Sequence, residues 1–294
     1  MVRSLKLEPD LVEQPVPAQW SSRMSTLKGL RADGYEAFYR DFDSPLMCQL
    51  RREAYGEDIG QHSWVGADEI RSDIHHLRLS SSSRVLDLGC GPCGPLTYIL
   101  AAVGCSGTGL ELSPSALRAG RARASALNVD QLLSVREADL NEPLPFGADS
   151  FNAAISLDVV LHLRDRGRFF EEVARVLAPR GRFVVTDAGV VTGCVSNESI
   201  RKRSVHGYTQ FVASGWNEAL LESAGFRLIE TQNRTPDLLR NASGRLAAMQ
   251  RHRTELEQMS SAAEVQNQRE YLETVVELAR LGAISRVMYL LTAA

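Results

Sequence analysis

The 294-residue sequence has no run approaching the roughly 20 consecutive apolar residues that a helix needs to cross a bilayer, and its longest candidates are broken by Gly, Asp or Arg. No membrane partner is therefore expected. The opening segment sets Pro9, Pro15 and Pro17 among charges and lacks the apolar stretch of a secretory signal, which predicts a cytoplasmic protein. Cysteine is sparse, with Cys48, Cys90, Cys93, Cys105 and Cys194 scattered and odd in number, so free thiols are expected rather than a disulfide framework. Neither sign of charge is in excess. With 33 Lys and Arg against 36 Asp and Glu, the formal charge is −3, and the broad positive field that nucleic acids attract is missing. The expected partner is a small molecule and not a nucleic acid. A composition of 44% hydrophobic and 23% charged residues excludes a long disordered chain, while 22 Gly and 11 Pro exclude a collagen or mucin. What remains is an ordinary globular chain of one to two domains.

Residues 1–24 show no period and read as a flexible arm, disordered alone or ordered against a second copy, which would make a homo-oligomer by arm exchange. Over residues 25–79, apolar positions such as Tyr35, Phe38, Phe42, Leu46 and Leu50 recur at three and four, predicting a helical lid. After the polar break Ser80 to Ser83 the pattern alternates. Strands are predicted at Arg84–Leu88, Gly107–Leu112, Leu132–Arg136, Phe151–Leu157, Arg182–Asp187, Phe226–Gln232 and Arg286–Leu291. Helical patterns between them imply an α/β, doubly wound, mostly parallel sheet over residues 80–235 and 284–294. Residues 236–283 are charged and helical without strand signal, and read as a cap over the sheet edge.

The strongest local signal is Asp87-Leu88-Gly89-Cys90-Gly91-Pro92-Cys93-Gly94, which follows a strand and opens a helix. Glycines there allow a tight turn and close ligand approach, and the helix N-terminus supplies unpaired N–H groups. The loop also matches loosely the G-x-G-x-x-G dinucleotide fingerprint, so a nicotinamide oxidoreductase has to be weighed. Against that reading, no Ser/Tyr/Lys or other hydride-transfer set accompanies it. Glu111, at the end of the next strand, suits a ribose diol, although a lone strand-end acid often does no more than cap a helix. Cys90 and Cys93 have C-x-x-C spacing but no second pair, so they read as small packing residues and no metal site is expected.

These residues resemble the class I S-adenosylmethionine-dependent methyltransferases. Their first motif is an acid followed by G-x-G-x-G, here with Cys93 where the third glycine is usual; further likeness lies in Glu111, in Ala138-Asp139-Leu140, in Leu144-Pro145-Phe146 with Asp149-Ser150-Phe151, and in Arg175 to Gly181. The resemblance implies a seven-stranded Rossmann-like sheet that uses S-adenosylmethionine and releases S-adenosylhomocysteine. It also implies cofactor contacts from Gln61, Asp87, Gly89, Cys90, Gly91, Glu111, Leu112, Asp139, Leu140 and Leu157, with Glu111 on the ribose and Asp139 on the adenine amino group.

Within that family the pattern is similar to small-molecule enzymes acting on phosphobases, sarcosine-type amines and natural-product sugars. Tyr55 to Trp64 resembles their pre-motif, which folds over cofactor and acceptor and makes Trp64 a wall of the acceptor site. Ile59 stands where the phosphoethanolamine enzymes carry a catalytic tyrosine, which argues against that acceptor. His162 lies just past the carboxyl end of a strand, and a histidine's unperturbed pKa suits a general base. Such enzymes place an active-site histidine in this loop and an acid at the end of strand five, so the resemblance casts His162 as base and Asp187 as its orienter or a contact to the acceptor. Tyr208 and Phe211 are candidates to face the acceptor or the sulfonium. The expected activity is in-line methyl transfer to an oxygen, a nitrogen or an activated carbon of a specialised metabolite. A non-catalytic cofactor-binding module is the alternative.

Overall fold

The apolar runs read as strands do form a sheet, because both of its faces are covered and the strands can be apolar throughout. In the computed structural model, which describes residues 39–204 and 207–294, the strands are β1 (Arg84–Leu88), β2 (Ser106–Glu111), β3 (Leu133–Glu137), β4 (Phe151–Leu157), β5 (Leu177–Val191), β6 (Val212–Ala213), β7 (Phe226–Asn233) and β8 (Ile284–Ala293). They are ordered β3-β2-β1-β4-β5-β8-β7, with β6 paired to β5 off that path. β1 to β5 run parallel, and β8 is antiparallel to both of its neighbours. Alternate residues along one strand reach opposite faces. Val85 joins Leu96, Ile99 and Val184 in one core, while Leu86 and Leu88 join Phe170 and Phe183 in the other.

The doubly wound sheet is as expected, with one strand more than seven. β5 was read as ending at Asp187. A register shift between Asp187 and Val190 carries it on, and Val190 and Val191 then pair with Val212 and Ala213 as well as with Ser285 and Ile284. A two-residue strand leaves no periodicity to detect.

Before β1, helix α1 (Pro45–Tyr55) starts on the Ser44 hydroxyl, which accepts from the Met47 amide, and α2 (Ala67–His76) carries Asp68 and Glu69 in its first turn. Between the strands lie α3 (Gly94–Val103), α4 (Pro114–Ala126), α5 (Arg166–Val176), α6 (Asn197–Arg203) and α7 (Trp216–Ser223). Between β7 and β8 the chain makes α8 (Thr235–Arg251), α9 (Arg253–Met259) and α10 (Ala262–Arg280), whose apolar residues Leu238, Ala242, Leu272 and Val275 close on Trp64 and Ala188. The predicted arm at residues 1–24 lies outside the described residues. No helix among the described residues is long and apolar enough to cross a membrane.

A buried ionic cluster ties these parts together. Arg286 on β8 gives Nε to Asp158 at 2.8 Å and Nη1 to Glu69 at 2.6 Å, and Arg234 binds Glu69 at 3.1 Å and Asp73 at 3.0 Å. Arg286 and Asp73 are fully buried. Burial raises the Glu69 carboxyl despite both arginines, whereas at Asp73 the bonds from His76 and Arg234 outweigh burial and hold it low.

Candidate active site

The loop after β1 folds back because Gly89 (φ +79°) and Gly91 (φ +52°) enter the left-handed region, and the amides of Gly89 and Cys90 both donate to the Leu110 carbonyl at 2.9 Å. Cys93 is also left-handed, at φ +55°. A side chain there carries about 1–2 kcal/mol of strain, which is the physical reason for the usual glycine. Its sulfur is accommodated by another glycine: a Cβ on Gly120 would lie 2.7 Å from Cys93 Sγ. Cys90 and Cys93 sulfurs are 3.5 Å apart and buried, and burial pushes the Cys90 thiol up, as suits packing residues. Gly94, opening α3, touches the lid: a Cβ on it would overlap the Gly60 carbonyl.

Glu111 closes the far side of the loop. Its Oε2 accepts from the Gly91 amide at 3.0 Å, and its Oε1 from the amides of Leu112 at 2.8 Å and Ser113 at 3.0 Å. Burial raises this carboxyl, and the three amides oppose the shift. Asp87, 2% exposed, receives no hydrogen bond from the described residues, and burial, then the charge of Glu111, pushes it up to about 8.

The unfolded chain gives up the Asp87 proton near an ordinary aspartate value of about 4, and the folded chain only near 8. The raised folded value means that stability is lost as pH rises from about 4 to about 8 and is level above that. Asp87→Asn, neutral throughout, is expected to remove this component. Urea midpoints of the two chains should diverge in the variant's favour between about pH 5 and pH 8; a constant offset would show that Asp87 does not titrate there.

One cavity is lined by Asp87, Gly89, Cys90, Gly91, Glu111, Leu112, Asp139, Leu140 and Leu157, together with Trp64 and His162. Tyr39 and His62 also line it, joined by a 2.9 Å bond between Tyr39 Oη and His62 Nδ1, and the space is about 210 Å³. The His162 Nδ1 lies 3.1 Å from the Tyr208 carbonyl. A carbonyl only accepts, so Nδ1 donates and the lone pair sits on Nε2. Trp64 is held by its backbone on two sides, its amide donating to Asp158 at 3.1 Å and its carbonyl accepting from Asn241 of α8 at 2.7 Å.

A second cavity of about 900 Å³ shares His62, Arg245 and Tyr271 with the first and is walled by Met47, Leu50, Met249, Leu256 and Met259, between α1 and the helices that follow β7.

Four expected site residues lie outside the first cavity, although Gln61 lines the second. Asp187 is fully buried and accepts from Arg166 Nη1 at 2.5 Å, Asn217 Nδ2 at 2.8 Å and the Gly189 amide at 2.8 Å, which makes it the anchor of a buried arginine rather than a partner of His162. Gln61 turns back on its own loop, bonding the Ile59 amide at 2.9 Å and the Glu57 carbonyl at 3.1 Å. Tyr208 is 42% exposed, and it is the carbonyl of this residue that reaches His162. Phe211 packs with Leu278 and Ile284. Residues missed from the sequence are Tyr39, His62, Asp158, Arg245 and Tyr271, all of which line the cavity. Asp158, one residue past β4 and at φ +61°, was open to detection as a strand-end acid. The two cap residues carry no local signal.

Comparison with known proteins agrees with this arrangement. A family described as "Methyltransferase domain" matches residues 86–185. The O-methyltransferase resE of Aspergillus sclerotiorum is 31% identical over 214 residues, covering 70% of this chain and 80% of that protein. The chain belongs to the S-adenosylmethionine-dependent methyltransferases. This methyltransferase is also 30% identical over 160 residues to methyltransferase GfsG of Streptomyces halstedii, covering 52% of the chain and 56% of that protein. It spans little more than half the length of several curated relatives that it matches. Among solved structures, phosphoethanolamine N-methyltransferase 2 of Haemonchus contortus in complex with S-adenosyl-L-methionine superposes with a TM-score of 0.72 at 19% identity, over 86% of this methyltransferase and 59% of that chain. At that identity the likeness is one of fold.

Proposed function

We propose that the chain transfers a methyl group from S-adenosylmethionine to a small-molecule acceptor, with His162 taking the proton where the accepting atom carries one. The observation that carries this reading is that an unbonded buried carboxyl, Asp87, and an amide-braced carboxyl, Glu111, share one cavity with a histidine whose Nδ1 meets a backbone carbonyl. This donor set fits the cofactor: Asp87 suits an ammonium, and Glu111 suits a pair of hydroxyls. When bound, the cofactor supplies a methyl group already activated by a sulfonium.

The protein's task is then mostly alignment, which can contribute about 7–11 kcal/mol to lowering the barrier. Trp64, pinned by Asp158 and Asn241, and the Tyr39–His62 pair shield the reacting end from water. The acceptor enters through the larger cavity, whose volume of about 900 Å³ suits a metabolite-sized body, since drug-sized ligands fill roughly 300–1,000 Å³. The similarity to a relative named as an O-methyltransferase supports oxygen as the accepting atom.

The test is calorimetric titration with S-adenosylmethionine, S-adenosylhomocysteine and NADH. Saturable binding of the first two is expected; binding of NADH alone would overturn the reading. Glu111→Ala removes acceptors whose hydrogen bonds are worth about 1.5–3 kcal/mol, so S-adenosylhomocysteine affinity should fall about 10- to 100-fold in a variant with native circular dichroism. An unaltered dissociation constant would refute the ribose role of Glu111.

A further inference from the structure

Arg245 on α8 lines both cavities, at the seam between them. Its guanidinium stands 5.0 Å from the centre of the Trp64 ring. Arg203 on α6, 5% exposed, stands 5.9 Å from the same ring and 5.1 Å from that of Tyr271, which stacks with Trp64 at 6.3 Å. Arg203 donates to Tyr271 Oη at 2.7 Å and to the Ala188 carbonyl at 3.4 Å. Neither guanidinium has a carboxylate partner among the described residues.

Three of the acids that line these cavities are engaged elsewhere. Asp158 serves Arg286, Thr186 and the Trp64 amide. Glu264 caps α10 through Ser261, and Glu270 accepts from Gln266. The lining Lys202 is paired with Glu198 at 2.9 Å, and Arg51 with Asp58 at 2.7 Å. Two cations are thus gathered on one aromatic pair with no paired carboxylate among the described residues, in a wall partly withdrawn from water. An aromatic face offsets only part of the desolvation of such charges.

We propose that Arg245 receives an oxyanion, a carboxylate or a phosphate, carried by the methyl acceptor, and that Arg203 adds its field through Trp64 and Tyr271. The planar fork of arginine matches either group with two parallel hydrogen bonds. The inference rests on the reading that the two adjoining cavities take cofactor and acceptor. It narrows the acceptor to molecules with an apolar body for the methionine-walled space and an anionic group close to the atom that is methylated.

Trp64 is itself the probe. In the full chain with Trp20→Phe and Trp216→Phe, saturated with S-adenosylhomocysteine, indole emission is followed during titration with benzoate, phenyl phosphate and the neutral benzamide. A saturable change is expected with an anion and not with benzamide; tighter phenyl phosphate identifies a phosphorylated acceptor, tighter benzoate a carboxylic one. Arg245→Met should weaken anion binding at least about tenfold, with partial recovery in Arg245→Lys. Arg245→Gln replaces the Met variant if the latter does not fold. An equal response to benzamide, or an unchanged anion affinity in the Met or Gln variant, overturns the proposal. S-adenosylhomocysteine affinity is measured in the same samples: binding without an anion response refutes the oxyanion site alone, whereas no binding removes the cofactor reading and this proposal with it.

Discussion

Replacing His162 with Ala is expected to lower turnover about 10²- to 10⁴-fold, the range that a positioned acid or base contributes, while S-adenosylhomocysteine affinity stays at its wild-type value. The two readouts separate because the proposal gives the cofactor's polar contacts to Asp87 and Glu111, which share the cavity with His162, and not to His162 itself. With Nδ1 committed to the Tyr208 carbonyl, the proton has one destination, Nε2. His162→Gln retains a polar side chain but offers no basic nitrogen, so it should be as slow as the alanine variant if proton removal is the role. Recovery in the Gln variant would reassign His162 to hydrogen bonding. Unchanged turnover in both would take it out of the reaction, as would be expected for an acceptor nitrogen that presents a lone pair without losing a proton first.

The second large effect falls on stability. Arg286→Met leaves Asp158 with no cation among the described residues and Glu69 with Arg234 alone, and breaking a buried pair from one side costs about 3–5 kcal/mol. A large fall in the urea midpoint is expected. Adding Asp158→Asn and Glu69→Gln to the same chain should restore part of the loss, because the stranded charges go with the partner. If Arg286→Met alone leaves the midpoint unmoved, the cluster is not load-sharing and water reaches it. Asp158 also holds the Trp64 amide, so the variant should lose acceptor-side order before it loses cofactor binding.

The sheet was legible where physics is local. β1 and β4 begin and end where the sequence predicts, because each is an apolar run buried on both faces and bounded by polar residues. The turn after β1 was legible for a related reason, since Gly89 and Gly91 take the left-handed conformations that favour glycine. Direction of side chains was not. Asp187 reads in the sequence as a strand-end acid like Glu111, yet β5 runs on to Val191, and Arg166 and Asn217, from two other elements, hold the Asp187 carboxylate inward. Gln61 is spent on its own loop for want of any sequence sign that Glu57 and Ile59 would claim it. Arg245 and Tyr271 sit in charged helices whose spacing reads as a solvated face, and only the docking of those helices on Trp64 brings them to the cavity.

Cys93 and Gly120 share a single volume: the sulfur occupies what the glycine leaves open. Evolution can therefore alter neither position alone without creating a hole or a clash beneath the cofactor loop. Glycine at 93 would free 120 to take a side chain, and a side chain at 120 would displace the thiol, so the two sites are coupled in volume although 27 positions part them.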